Sequence, residues 1–208
     1  MLKIELKHYK EYVKNLQSND FLGITGVIGS GKSFLAQNFS IYENEIYINS
    51  TNSPISVFEI DDIRRELLWN SQSNLAIKLR KKLTKFFNIK NYNSGYFFDR
   101  IEFTNFIFSS KDILNEFNTV CKPFFIHYIH QNQLKNHINL IVWVNLIEDY
   151  YHLNFPFKHI IHTTISNKKW NKHNSSILSH RIKLQNNPYK KNKILKTSGI
   201  PYSRIYYE

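Results

Sequence analysis

The chain has 208 residues, 42% of them hydrophobic, which is enough to bury a full core in one compact domain. Its single cysteine, Cys121, excludes an internal disulfide and suits a reducing compartment, where it is read as a packing residue rather than a nucleophile. The formal charge of +12 would suit a polyanion, but 22 of the 28 basic residues are lysines, and only two alanines and six glycines stand beside abundant Asn, Lys, Ile, Tyr and Phe.

That balance reads as compositional bias, so no dedicated nucleic-acid partner is expected, and a basic cleft for phosphate-bearing small molecules accounts for the same charge. There is no run of eighteen apolar residues and no signal-peptide stretch, and the expectation is a soluble, cytoplasmic monomer without membrane association.

In chain order, Leu2, Leu6, Tyr9, Val13 and Leu16 recur at helical spacing with lysines on the same period, which predicts an amphipathic helix over 1–20. Phe21-Leu22-Gly23-Ile24-Thr25 follows as a short apolar strand. The next residues, Gly26-Val27-Ile28-Gly29-Ser30-Gly31-Lys32-Ser33, fit G-x-x-x-x-G-K-[ST] and lead into Phe34–Phe39 with helical spacing. Strand, glycine loop and helix form the context in which backbone N–H groups and a helix start cradle phosphates. In that pattern all eight residues line the phosphates, Lys32 reaches the β and γ groups, and the Ser33 hydroxyl holds Mg²⁺. ATP with Mg²⁺ is therefore the expected cofactor pair.

Residues 44–54 are a polar loop candidate. Residues 55–60 read as a strand ending at Asp61-Asp62, with a helix from Ile63 toward Trp69. Transfer of a phosphoryl group to an alcohol needs a carboxylate to orient the hydroxyl and accept its proton. Asp61, at the carboxyl end of a predicted parallel strand, is the candidate, while Asp61 or Asp62 as a helix cap is the structural alternative. Arg64 and Arg65 follow on the next turn, where one can grip a substrate phosphate with two parallel bonds.

Leu75, Leu79, Leu83 and Phe86 predict a helix over 75–87. Residues 101–138 support two or three more, broken near Pro123. Residues 138–147 and 159–165 are nearly unbroken apolar runs that suit buried parallel strands. A basic stretch at 166–176 stands where a short lid closes over nucleotide, before a helix at 177–185. The expected architecture is a single α/β domain: a three-layer fold with a parallel sheet flanked by helices, a helical substrate-binding insertion over 63–137 and the short lid. Two histidine pairs, His127/His130 and His159/His162, lack zinc-helix spacing, so no zinc site is expected at them.

Taken together, the residues from Gly23 to about Gln185 resemble the dephospho-coenzyme A kinase family, whose members are P-loop kinases. Gly23–Ser33 is similar to that family's G-[LIV]-T-G-G-I-G-S-G-K-S, with Val27 in place of one glycine. Glu59-Ile60-Asp61-Asp62-Ile63-Arg64-Arg65 resembles its D-x-D-x-x-x-R element. Asp99-Arg100 with Phe103 and Ile107-Phe108 resembles its D-R-x-x-L-x-x-x-[IV]-F helix, and Asn118–Pro123 resembles N-x-x-x-H-P, with Lys122 at the histidine. Arg181–Gln185 resembles R-I-x-x-Q.

The resemblance implies transfer of the ATP γ-phosphoryl group to the ribose 3′-hydroxyl of dephospho-coenzyme A, the last step of coenzyme A biosynthesis. It makes Asp61 and Lys32 catalytic and puts Arg65, Arg100 and Lys122 on the substrate side. The chain departs from the family at Trp143 and Asn145, which stand where an aspartate and a proline are usual. Its lid stretch also carries no arginine, a planar bidentate group that lysine does not replace. Two other readings stay open: a P-loop kinase for a nucleoside or other small metabolite, and a nucleotide-binding protein that has lost catalysis.

Overall fold

A computed structural model of the chain describes residues 17–36, 55–89, 98–153, 155–165, 188–197 and 202–207. They divide into two compact units, one formed by residues 1–59 with 133–208 and the other by Ile60–Asn132. The predicted N-terminal helix, apart from a turn at 17–20, lies outside the described residues, as do the 44–54 loop, the lid and the 177–185 helix.

The first unit is built on five parallel strands: β1 (Phe21–Thr25), β2 (Ile55–Glu59), β3 (Ile138–Val142), β4 (Phe157–Ile165) and β5 (Tyr202–Tyr207), in the spatial order β2-β3-β1-β4-β5. Every residue of β1 and β3 is buried. That is why their sequences are continuous apolar runs: an interior parallel strand is covered on both faces and has no need to alternate. On one face Leu22, Ile24, Leu140, Val142, Ile161 and Ile205 form a core with Leu35 and Ala36 of α1, the helix that opens at residue 32 and is described to 36. Each of these leucine, isoleucine and valine side chains contributes about 1.5–3 kcal/mol by leaving water.

Gly23 looks toward the other face, where a Cβ would meet Leu146 at 3.0 Å and Ile160 at 3.2 Å. Its missing side chain therefore lets α6 (Leu146–Leu153) pack close to β1. The helix α7 (Pro188–Thr197) precedes β5. This α/β class with its parallel sheet flanked by helices is the one the sequence predicts.

Two boundaries and one strand differ from the sequence reading. The β2 strand stops at Glu59, and Ile60 opens the helix α2 (Ile60–Arg65), so Asp61 and Asp62 lie in its first turn, where carboxylates complement the helix dipole. The apolar run after Ile138 changes element midway: β3 ends at Val142, and Leu146 and Ile147 are buried by α6 instead, with Glu148 and Asp149 in that helix's first turn. The strand β5 was not predicted, because its polar and tyrosine-rich sequence does not read as a buried strand.

The second unit continues from α2 through a π-helical turn (Glu66–Asn70) to α3 (Asn74–Phe87), α4 (Arg100–Ile107) and α5 (Lys111–Asn132). Arg80, fully buried, donates to the Leu67 and Ser71 carbonyls at 2.9 Å each and so fastens the end of the π turn to α3. Phe103 stacks on Phe98 with centroids 4.2 Å apart and meets Phe117 edge-on at 5.9 Å.

Pro123 does not break α5. It lies on the exposed side of the helix, as does Thr119, whose carbonyl the proline leaves without a partner amide. Buried Leu114, Phe117, Val120, Cys121, Phe125 and Ile129 hold the helix on both sides of it. Cys121 is fully buried within this unit, and burial pushes its thiol far up against the weaker opposing pull of Arg64 and Lys82, in keeping with packing. Among the described residues no helix is long and apolar enough to cross a membrane.

Candidate functional site: the phosphate loop

The loop leaves the central strand β1 at its carboxyl end, from which the chain crosses over β3 to reach β2, and enters α1 at Lys32. Three glycines carry the turn: Gly26, Gly29 and Gly31 have φ of 152°, 75° and 81°. Gly26 is further constrained by space, since a Cβ there would lie 2.4 Å from both the carbonyl and the hydroxyl oxygen of Thr163. Any side chain at Gly26 must displace β4 or the loop.

Hydrogen bonds fix the loop from below. Ser30 N donates to Val27 O at 3.2 Å, and Leu35 N donates to Gly31 O at 2.9 Å to begin the helix. The Ser30 and Thr163 hydroxyls meet at 2.7 Å, both residues being buried. Thr163 Oγ1 donates onward to Thr25 O at 3.0 Å, so its single proton is used and Ser30 is the donor in the hydroxyl pair. Val27, within the loop, is buried.

The two residues with phosphate chemistry have definite partners. Lys32 Nζ donates to Val27 O at 2.9 Å, curling back over its own loop. Ser33 Oγ donates to Glu59 Oε1 at 2.6 Å. Glu59 closes β2, two strands away from β1 in the sheet, and its half-buried carboxylate thereby reaches the start of α1. The sequence motif contains Glu59, yet its role was not read from the sequence. The signal available was a carboxylate in the last position of an otherwise apolar strand.

Nearby, His162 on β4 is buried, and among the described residues its Nδ1 has no hydrogen-bond partner. Burial first, then Lys191, Arg204 and Lys32, push its pKa down to about 3, so the ring is neutral at ordinary pH.

The remaining predicted residues belong to the helical unit. Asp61 pairs with Arg64 at 2.9 Å and Asp62 with Arg65 at 3.0 Å, both i,i+3 and partly exposed. Such pairs are worth about 0.2–1 kcal/mol and exchange readily for a ligand. Asp99 caps α4, accepting from Ile101 N at 2.9 Å and Glu102 N at 2.8 Å. Arg100 lies over the Trp69 ring, 5.4 Å from its centroid. Lys122 is half-buried on α5 beside Pro123.

Trp143 is buried and its backbone N–H donates to Ile24 O at 2.9 Å, extending the β3–β1 pairing. Among the described residues no group of three metal-ligating side chains gathers.

No family model matches the sequence, and no curated protein does. Among solved structures the chain is similar to TT1252 from Thermus thermophilus, at 14% identity and a TM-score of 0.57 over 91% of this chain and 89% of that one. It also aligns with thymidylate kinase from Ehrlichia chaffeensis at 12% identity and a TM-score of 0.43, over 91% and 88% of the two chains. A possible uridine kinase from Bacillus stearothermophilus aligns at 13% identity and a TM-score of 0.36, over 96% and 100%. The first likeness establishes a shared fold; the other two superpose too loosely to add to it.

Proposed function

We propose that the protein is an ATP-dependent phosphotransferase acting on an alcohol, with the ribose 3′-hydroxyl of dephospho-coenzyme A as acceptor. The observation that carries this reading is the 2.6 Å bond from Ser33 to Glu59 behind the phosphate loop. It sets a hydroxyl and a carboxylate, both hard oxygen donors, beside the place where the terminal phosphates of a nucleotide lie in such loops. Ser33 and Glu59 are the residues that would hold Mg²⁺, whose charge offsets that of the transferring phosphoryl oxygens.

The chain's own groups do the rest. Lys32 gives up the Val27 carbonyl for a phosphate oxygen when nucleotide binds. The left-handed glycines hold the loop open for phosphate without a side chain in the way. The acceptor side rests on the resemblance of Glu59–Arg65 to the kinase element. Asp61 takes the proton of the attacking hydroxyl, exchanging its contact with Arg64, and Arg65 turns from Asp62 to an acceptor phosphate. Arg100 and Lys122 supply further positive charge to the acceptor.

Purified protein given ATP, Mg²⁺ and dephospho-coenzyme A should release ADP well above a control without acceptor. Bound ATP with no release for any alcohol acceptor would overturn the phosphotransferase reading. Release with a nucleoside but not with dephospho-coenzyme A would keep the transfer and replace the acceptor.

A further inference from the structure

Lys191, on α7, has no solvent exposure, and its ammonium donates to Glu148 Oε1 at 2.6 Å and to Val144 O at 2.7 Å. The Val144 carbonyl also accepts from Thr25 Oγ1 at 3.2 Å. From Thr25 the bonds run on without a gap: its carbonyl accepts from Thr163, and Thr163 accepts from Ser30 in the middle of the phosphate loop. One chain of polar contacts thus joins the helix before the last strand to the loop after the first.

Stability does not account for Lys191. Taking an ammonium fully out of water is costly, and a buried ion pair is often replaced by apolar residues of similar volume with no loss. What an apolar residue could not do is hold the Val144 carbonyl. That carbonyl belongs to the turn between β3 and α6, whose residues Trp143, Val144 and Asn145 include no proline ring to stiffen it.

We propose that Lys191 is a positioning residue for the phosphate loop. It fixes the 143–145 turn and, through Thr25, Thr163 and Ser30, the loop's phosphate-ready conformation, and it holds Glu148 in that task. The proposal rests on the functional reading above only in its nucleotide arm.

The test pairs amide hydrogen exchange, which needs no nucleotide, with binding of a fluorescent ATP analogue, using K191M, K191R and the charge-neutral double variant K191M/E148Q. In K191M and in the double variant, exchange should rise in peptides covering 24–33 as well as 143–147, while the β2–β3 pairing and the melting temperature of the double variant stay near wild type. Analogue affinity should fall about tenfold, and K191R should restore most of it. In a T25V background, where the relay is already cut, K191M should add no further exchange at 24–33.

Faster exchange confined to 143–147, or an unchanged loop in a folded K191M, would overturn the proposal. Wild-type protein that binds no nucleotide would sink the functional reading alone, leaving the exchange result to decide this one.

Discussion

Glu59 Oε1 accepts the Ser33 hydroxyl proton at 2.6 Å, joining the last residue of β2 to the second residue of α1. In the proposed enzyme that contact leaves the Ser33 lone pairs free to face a metal while its proton stays committed to the carboxylate. E59Q keeps the size and one acceptor oxygen but removes the charge. Turnover should fall about a hundredfold or more and need higher Mg²⁺ to saturate, while metal-free nucleotide binding changes little. A Mg²⁺ titration of ADP release alongside analogue binding in a chelator reads both. An unaltered Mg²⁺ requirement would remove Glu59 from the metal site.

Asp61 and Lys32 separate two steps of the same proposal. D61N should leave ATP affinity nearly intact and lower turnover sharply, since a general base typically contributes about 10²–10⁴-fold. K32A should weaken nucleotide binding itself, because the ammonium contacts phosphate before any transfer. Equal turnover in D61N would take Asp61 out of the chemistry. Both substitutions are at partly exposed positions and should leave the melting temperature nearly unchanged.

Gly26→Ala tests the floor of the loop. Its φ of 152° and the two Thr163 oxygens 2.4 Å from an added Cβ leave no relaxed place for a methyl group. The cost should be about 1–3 kcal/mol of stability, seen in chemical denaturation, with loss of nucleotide binding. Gly29 is exposed with φ of 75°. G29A should cost about 1 kcal/mol for its backbone alone.

The legible parts of this fold were those where local chemistry and burial agree. Phe21–Ser33 carries its strand, its glycines and its helix start in one stretch, and Asp99 announces a cap before a helix. Where one apolar run serves two elements, the sequence misleads: Ile60 and Leu146 are equally buried in a strand or in a helix, so hydrophobicity alone could not place the ends of β2 and β3. At β2 the difference is one residue, and it makes Glu59, not Ile60, the last residue of the strand. Lys191 was invisible for a different reason. A lysine among lysines in a 22-lysine chain gives no hint that its partner is a glutamate 43 positions away.

His162 provides a pH test of the packing beneath the loop. Its ring is buried, faces the charges of Lys191, Arg204 and Lys32, and is pushed down to about 3 from an ordinary value near 6.5. Between those two values the unfolded chain binds a proton that the folded chain refuses. Stability therefore falls as pH drops below about 6.5, by up to about 1.4 kcal/mol per pH unit, and the loss is complete only below the folded value.

His159 is shifted down by burial too and adds a slope of the same sign, so the comparison must be made within a pair of variants. Urea unfolding of wild type and H162L at pH 7 and pH 5 should show a clearly smaller loss of stability in the variant. H162L should also be no less stable than wild type at pH 5, since it relieves an unpartnered buried nitrogen as well as the charge conflict. Equal pH slopes in the two proteins would mean that His162 opens to water and titrates normally in the folded state.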